Sequence, residues 1–208
     1  MRIVTANEIH LWLNQGHCIE QDGRGPKVVA LADGRLLKIF RPRRRLWLSR
    51  LRPQARRFAD NATKLNTLGI HTPEITDLGW FDKKLAASFC LYQPLPGETI
   101  DKIYRRERER FMALLPGLAC FIRELHHKGI YFRSLHLGNI LLLPEGGFGL
   151  IDFLDLRLKS SPLSRAMIRR NLKHLRNYLK RSCTEDFPWS KLLQLYAEAE
   201  NDSPNRGK

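Results

Sequence analysis

No apolar run in this chain approaches the roughly 20 residues that a membrane-spanning helix needs; the longest, such as 139–143, are far shorter. The opening MRIVTANEIHLWLNQGH has an early Asn-Glu and no sustained apolar core, so it is not expected to act as a secretory leader. Cysteine is sparse: Cys18, Cys90, Cys120 and Cys183 are scattered, with no C-x-x-C pair. That spacing argues against a zinc site, and apolar neighbours around three of them predict buried free thiols. No internal repeat is present, which excludes a solenoid. The chain is also short of acid. Only 21 Asp and Glu stand against 36 Lys and Arg, a net charge of +15 over 208 residues. Such an excess predicts an anionic partner: nucleic acid, an acidic membrane surface or a phosphorylated substrate.

What is present is an ordinary globular mix, 43% hydrophobic and 27% charged, which excludes a wholly disordered chain. The basicity is local. Segment 41–57, RPRRRLWLSRLRPQARR, holds eight Arg and no acid, and segment 157–181 holds nine Lys and Arg and no acid. The remaining 19 basic and 21 acidic residues nearly balance. Two basic patches therefore sit on an otherwise neutral body.

Hydropathy patterning predicts strands over 17–21, 27–32 and 35–40, with a glycine-containing turn at Asp22–Pro26 and a two-residue hairpin at Asp33-Gly34. A helix is expected from Pro53 to Leu68, with Phe58, Ala62, Leu65 and Leu68 on one face and Gly69 as its stop. Two further strands, 74–81 and 85–95, end at Pro94, Pro96 and Gly97, which read as a linker. Residues 99–128 read as helical with a break near Pro116-Gly117. An irregular loop at 130–138 then opens into a hairpin of 139–143 and 148–153. Helices over 161–181 and 187–199 and a disordered tail from 201 complete the layout. The expected class is α+β: an antiparallel, strand-rich N-lobe with one helix over 1–95, a helical C-lobe carrying a hairpin over 96–200, and a tail at 201–208.

Three residues stand out chemically. Lys38 places one cation inside an apolar strand, Asn139 opens the late hairpin, and Asp152 closes it. An ammonium on phosphates, with an amide oxygen and a carboxylate on Mg²⁺, is what phosphoryl transfer requires. The short turn at 144–147 brings Asn139 and Asp152 side by side at the open end. Blander roles stay open: Asp152 as a turn or capping carboxylate, Lys38 as a solvated strand lysine, and Gly23 and Gly25 as hairpin glycines.

Residues 132–141, Phe-Arg-Ser-Leu-His-Leu-Gly-Asn-Ile-Leu, followed by Leu150-Ile151-Asp152-Phe153, resemble the catalytic loop and metal motif of protein-kinase-like folds. Leu125-His126-x-x-Gly129-Ile130 and Leu65-x-x-Leu68-Gly69-Ile70-x-x-Pro73 fit the same pattern. In those motifs, and in being small and basic, the chain resembles the lipopolysaccharide core (heptose and Kdo) kinases, including the toluene tolerance proteins. The resemblance covers about residues 17–180 and is most specific in the C-terminal loop and metal motif.

It implies a two-lobed fold and an ATP- and Mg²⁺-dependent phosphotransferase acting on a heptose or Kdo hydroxyl in lipopolysaccharide core biosynthesis. Lys38 would meet the nucleotide phosphates, Gly23 and Gly25 would cover them, and the backbone around Gln93–Leu95 would bind adenine. Asn139 and Asp152 would hold the metal. The implied partners are a lipid-linked anionic sugar, the inner face of the cytoplasmic membrane, and an acidic carrier protein. A nucleic-acid partner ranks last, because Trp47 is the main stacking candidate near the patches.

Two departures matter. Ser134 stands where these kinases carry the catalytic Asp, and a neutral hydroxyl cannot accept a proton as a carboxylate does. The helix that would supply a Glu to Lys38 offers Asn61, with Asp60 on another face. Ser134 reads more readily as a loop hydroxyl, and His136 as a hydrogen-bonding loop histidine; His136 and Asp155 are the substitute proton acceptors, neither at the motif position. The competing expectation is a pseudokinase, a binding module without turnover.

Overall fold

The computed structural model describes residues 1–44, 46–182 and 186–201, and the chain divides into two compact units, Met1–Leu95 and Pro96–Lys208. The first unit opens with β1 (Arg2–Ile3) and α1 (Ala6–Gln15), a helix absent from the sequence expectation. Its start is a capping box: the Thr5 hydroxyl accepts from the Glu8 amide at 3.2 Å, and the Thr5 amide donates to the Glu8 carboxylate at 2.8 Å. Two amides that the helix itself leaves unbonded are thereby satisfied.

Next come β2 (His17–Asp22), β3 (Gly25–Ala30), β4 (Leu36–Phe40), α2 (Leu46–Leu51), α3 (Gln54–Thr67), β5 (Glu74–Asp82) and β6 (Ala87–Gln93). The β2–β3 turn is tighter than expected, because Asp22 pairs with Gly25 and only Gly23 and Arg24 lie outside the strands. The β3–β4 connection is longer than the Asp-Gly dipeptide suggests. The Leu31 amide donates to the Arg35 carbonyl at 2.9 Å, which leaves the three-residue loop Ala32-Asp33-Gly34 with Gly34 at φ +83°. The end of α3 follows expectation: Gly69 takes φ +73°, its amide donates to the Asn66 carbonyl, and the Ile70 amide donates to the Leu65 carbonyl.

These strands form one six-stranded sheet in the order β1-β5-β6-β4-β3-β2, antiparallel except for β1 against β5. The two-residue side-chain period sorts β4 and β6 onto two buried faces. Leu37, Ile39, Phe89 and Leu91 pack with Val29, Val4 and Trp12 of α1. Phe40 and Tyr92 point the other way and meet Phe58 of α3, with ring centroids at 5.6 and 6.1 Å. On that face the Ala55 amide donates to Ser88 Oγ at 3.2 Å, and the Cys90 thiol reaches the Ala55 carbonyl at 3.4 Å. Burial raises the Cys90 thiol to about 12, so it stays protonated and inert. The expectation of buried thiols holds for Cys90 alone: Cys18 and Cys120 are exposed, and Cys183 lies outside the described residues.

The second unit begins with β7 (Glu98–Thr99), α4 (Ile100–Arg106) and α5 (Arg108–His127). The helical stretch breaks at Glu107, with φ −136° and ψ 69°, and not at Pro116-Gly117. The buried face Phe111, Leu115, Leu118, Ile122 and Leu125 runs straight through Pro116. Pro116 and Gly117 lie on the exposed side, and the carbonyl that Pro116 cannot bond belongs to exposed Met112. Tertiary packing outweighs the local penalty there.

Then follow β8 (Ile130–Tyr131), a 3₁₀ turn at Leu137–Asn139, β9 (Ile140–Leu142), β10 (Phe148–Leu150), β11 (Arg157–Leu158), α6 (Arg165–Arg181) and α7 (Trp189–Asn201). The strands make two small sheets, β10-β9-β7 and β11-β8, the second of which sequence patterning did not reveal. Helix α6 starts later than expected because Ser164 caps it, accepting from the Met167 amide at 3.4 Å. Of the tail expected to be disordered, 202–208 lies outside the described residues, and Asn201 closes α7.

Candidate functional site

The loop from Phe132 to Asn139 is anchored from beneath. Asn171 of α6, wholly buried, donates from Nδ2 to the Phe132 carbonyl at 2.6 Å. Its Oδ1 lies 3.1 Å from His126 Nε2, and His126 Nδ1 lies 2.8 Å from the Tyr196 hydroxyl. Since Oδ1 only accepts, Nε2 carries the histidine proton and Nδ1 accepts from Tyr196. Burial drives the His126 imidazole down to about 4, with the bond to Asn171 opposing, so it is neutral at physiological pH.

Within the loop, Asn139 is buried and doubly tied. Its amide donates to the His136 carbonyl at 2.9 Å, and its Nδ2 donates to the Ser134 carbonyl at 3.0 Å. The side-chain oxygen is left as the acceptor. Beyond it the β9–β10 ladder continues one step, with the Ile151 amide donating to the Asn139 carbonyl at 3.0 Å. Asp152 therefore stands past the strand end and not inside the strand, exposed, in the left-handed region at φ +53°. Few residues other than Gly adopt that conformation, Asp and Asn most readily. Asn139 and Asp152 thus flank the open end of one short hairpin.

Ser134 Oγ donates to Asp155 Oδ2 at 2.8 Å, while Asp155 Oδ1 is buried with no hydrogen-bond partner among the described residues. A carboxylate from the segment after β10 therefore lies one hydrogen bond from position 134. His136 stacks on Tyr178, with centroids at 4.2 Å and planes 13° apart. Burial lowers its basicity against the pull of Asp152, Asp101 and Asp155. A stacked, neutral His136 fits the structural role. A cavity of about 310 Å³ beside the loop is lined by Arg133, Ser134, His136, His174, Tyr178 and Arg181 among others.

In the first unit, Lys38 is buried on the α3 face of β4, its Nζ 5.1 Å from the Phe58 ring centroid. Asp60 of α3 is engaged at the surface, where Arg56 Nε donates to it at 3.1 Å. Gly25 takes φ +104°, as its turn requires, and Gly23 has open space where a side chain would be. The Arg24 amide between them is held by Asp22 Oδ1 at 2.9 Å. Gln93 is the exposed last residue of β6, and Leu95 is half-buried at the end of the unit. The basic stretch contributes an unusual element: α2 buries none of its side chains, and Trp47 and Leu51 are 65% and 77% exposed.

Among the described residues no group of three His, Cys, Asp or Glu side chains forms a metal cage. Magnesium seldom needs one, since it is bound by one or two carboxylates, waters and substrate phosphates. The hard oxygen pair of Asn139 Oδ1 and the Asp152 carboxylate fits that ion. Sequence patterning does not mark Asn171, His126 and Tyr196 as anchors, although His126 lies in the segment Leu125-His126-x-x-Gly129-Ile130. The signal for Asn171 was its place on the buried row Asn171, Leu175, Leu179 of a helix otherwise crowded with cations.

No helix is long and apolar enough to cross a membrane among the described residues. No protein-family model matches the chain, and no curated protein matches it. Among solved structures it is similar to WbdD, determined at 2.2 Å, with 15% sequence identity and a TM-score of 0.47 over 87% of this chain. The chain spans 45% of the length of that WbdD chain, and a likeness this distant decides neither fold nor activity.

Proposed function

We propose that this chain is a protein-kinase-like phosphotransferase that uses Mg²⁺ and ATP to phosphorylate a heptose or Kdo hydroxyl of lipopolysaccharide core. The observation that carries the reading is the β9–β10 hairpin, with Asn139 at its open end and Asp152 just beyond, held left-handed. Asn139 Oδ1 and the Asp152 carboxylate would hold the metal, and Lys38 would neutralise nucleotide phosphates. When bound, Mg²⁺-ATP supplies the phosphoryl group and the charge neutralisation that dominates such transfers. The protein's own part is to receive the acceptor proton, for which Ser134 and Asp155 form a hydroxyl–carboxylate pair at 2.8 Å. Asp155 is the terminal acceptor and Ser134 the intermediary.

The lipid-linked acceptor fits a peripheral protein at the inner face of the cytoplasmic membrane. Helix α2 supports that placement, because Leu46, Trp47, Leu48 and Leu51 are exposed beside Arg43, Arg44, Arg50 and Arg52. Apolar side chains flanked by cations bind anionic bilayer surfaces. An acidic carrier protein remains a partner proposal on charge alone. The second reading is a pseudokinase that holds nucleotide without turnover, favoured by Ser134 at the catalytic-Asp position.

The test is thermal unfolding with ATP, with and without Mg²⁺, on the native chain and on Asp152→Ala, followed by phosphate transfer to core oligosaccharide. A Mg²⁺-dependent stabilisation lost in the variant, with transfer by the native chain, supports the enzyme. Stabilisation without transfer supports the pseudokinase. Neither effect removes both readings.

A further inference from the structure

Helices α5, α6 and α7 border a groove of about 810 Å³ that the phosphotransfer reading does not use. Its size suits a small-molecule site. Its charge is one-sided. Arg123 of α5 and Arg165, Arg169, Lys173, Arg176 and Lys180 of α6 line it, and no Asp or Glu does among the described residues. The α6 cations recur every three or four residues, so they form one row along one face. None of the six is within salt-bridge range of a carboxylate among the described residues. Arg123, on the facing helix α5, brings a sixth cationic side chain to the same lining.

Ile168, Leu172, Trp189 and Leu193 present hydrocarbon to the same space, beside the polar His127, Asn177 and Tyr196. Arg176 lies over the Trp189 ring at 5.7 Å, at the junction of the two halves. A row of like charges repels itself. An anion relieves that repulsion. A free anion leaves the apolar floor wet, and a neutral hydrocarbon leaves the cations unpaired. Only an amphiphile with an anionic head satisfies the whole groove.

We propose that this groove binds one anionic phospholipid, its phosphate on Arg123 and the α6 row and its acyl chain along Leu172, Trp189 and Leu193. The site is independent of the phosphotransfer reading and stands if that reading fails.

The experiment is calorimetric titration of the full chain with dihexanoyl phosphatidic acid below its micellar concentration, alongside dihexanoyl phosphatidylcholine, inorganic phosphate and an acidic amphipathic helical peptide. The phosphatidic acid should bind about tenfold or more tightly than each of the others, the scale of one lost charge-assisted or apolar contact. Arg123→Gln should weaken it, and so should two variants at exposed positions, Arg169→Glu with Lys173→Glu and Leu193→Asp, whose unfolding temperatures should match the native chain. Equal binding of inorganic phosphate, or no effect of Leu193→Asp, would overturn the apolar half. Equal binding of phosphatidylcholine, or no effect of the charge reversals, would overturn the ionic half. Tighter binding of the peptide would make the groove a protein-docking site, and absence of phosphatidic acid binding would end the proposal.

Discussion

Ser134 donates its hydroxyl hydrogen bond to Asp155 at 2.8 Å, so a carboxylate lies one hydrogen bond from the position where the proposed catalytic loop has none. If that pair receives the acceptor proton, Asp155→Asn should reduce kcat by about 10²-fold or more, the lower bound for general-base help. KM for ATP should barely move. Steady-state kinetics separate the two, and an unchanged kcat would remove Asp155 from the reaction. Ser134→Asp should raise turnover if the native hydroxyl limits chemistry, with a new pH dependence because two adjacent carboxylates cannot both ionise freely.

Asp152→Ala should abolish the Mg²⁺-dependent part of ATP stabilisation. A ligand at a hundred times its dissociation constant stabilises by about 2.7 kcal/mol, which is readily seen in a melting curve. Retention of that shift in the variant would show that the metal is held elsewhere.

His126 predicts an acid-sensitive fold. Its folded value of about 4 lies below the ordinary 6.5, so the unfolded chain binds the proton more readily between the two. The contribution is therefore complete above pH 6.5 and is lost as pH falls towards 4, roughly 3 kcal/mol in all. Denaturant titrations from pH 7.5 to 4 should show the decline, and His126→Gln should flatten it while lowering stability at neutral pH. An equally steep decline in the variant would assign the sensitivity to other groups.

Exposed α2 yields a membrane prediction separable from folding. Trp47→Ala with Leu51→Glu should change the folding free energy by no more than the amount typical of surface changes, about 0.5 kcal/mol. Co-sedimentation with vesicles containing phosphatidylglycerol should fall sharply. Undiminished sedimentation would remove α2 as the contact.

Much of the strand pattern was legible because β4 and β6 alternate side chains between two apolar faces, and α3 because Phe58, Ala62 and Leu65 recur at helical spacing. The hairpin carrying Asn139 and Asp152 was legible from its short Gly-Gly turn. Helix α1 was not assigned, although Thr5 and Glu8 spell its capping box; the sparse apolar pattern of Ile9, Trp12 and Leu13 hides the face that Trp12 buries on Phe89. Pro116 predicts a helix break that does not occur, because the buried row around it outweighs proline's local cost. The contact of Ser134 with Asp155 and the anchoring of Phe132 by Asn171 join residues 21 and 39 positions apart. No local spacing encodes such pairs.

Strands β4 and β6, covered by α1 on one face and α3 on the other, also fix how the first unit exchanges its amide hydrogens. Fraying of either helix alone still leaves Leu37, Ile39, Phe89 and Leu91 hydrogen-bonded between neighbouring strands. Their amides should be the last in this unit to take up deuterium, at the rate of its complete opening, while those of edge strand β2 exchange far sooner. The slow set marks the cooperative heart of the unit, and Lys38 lies within it.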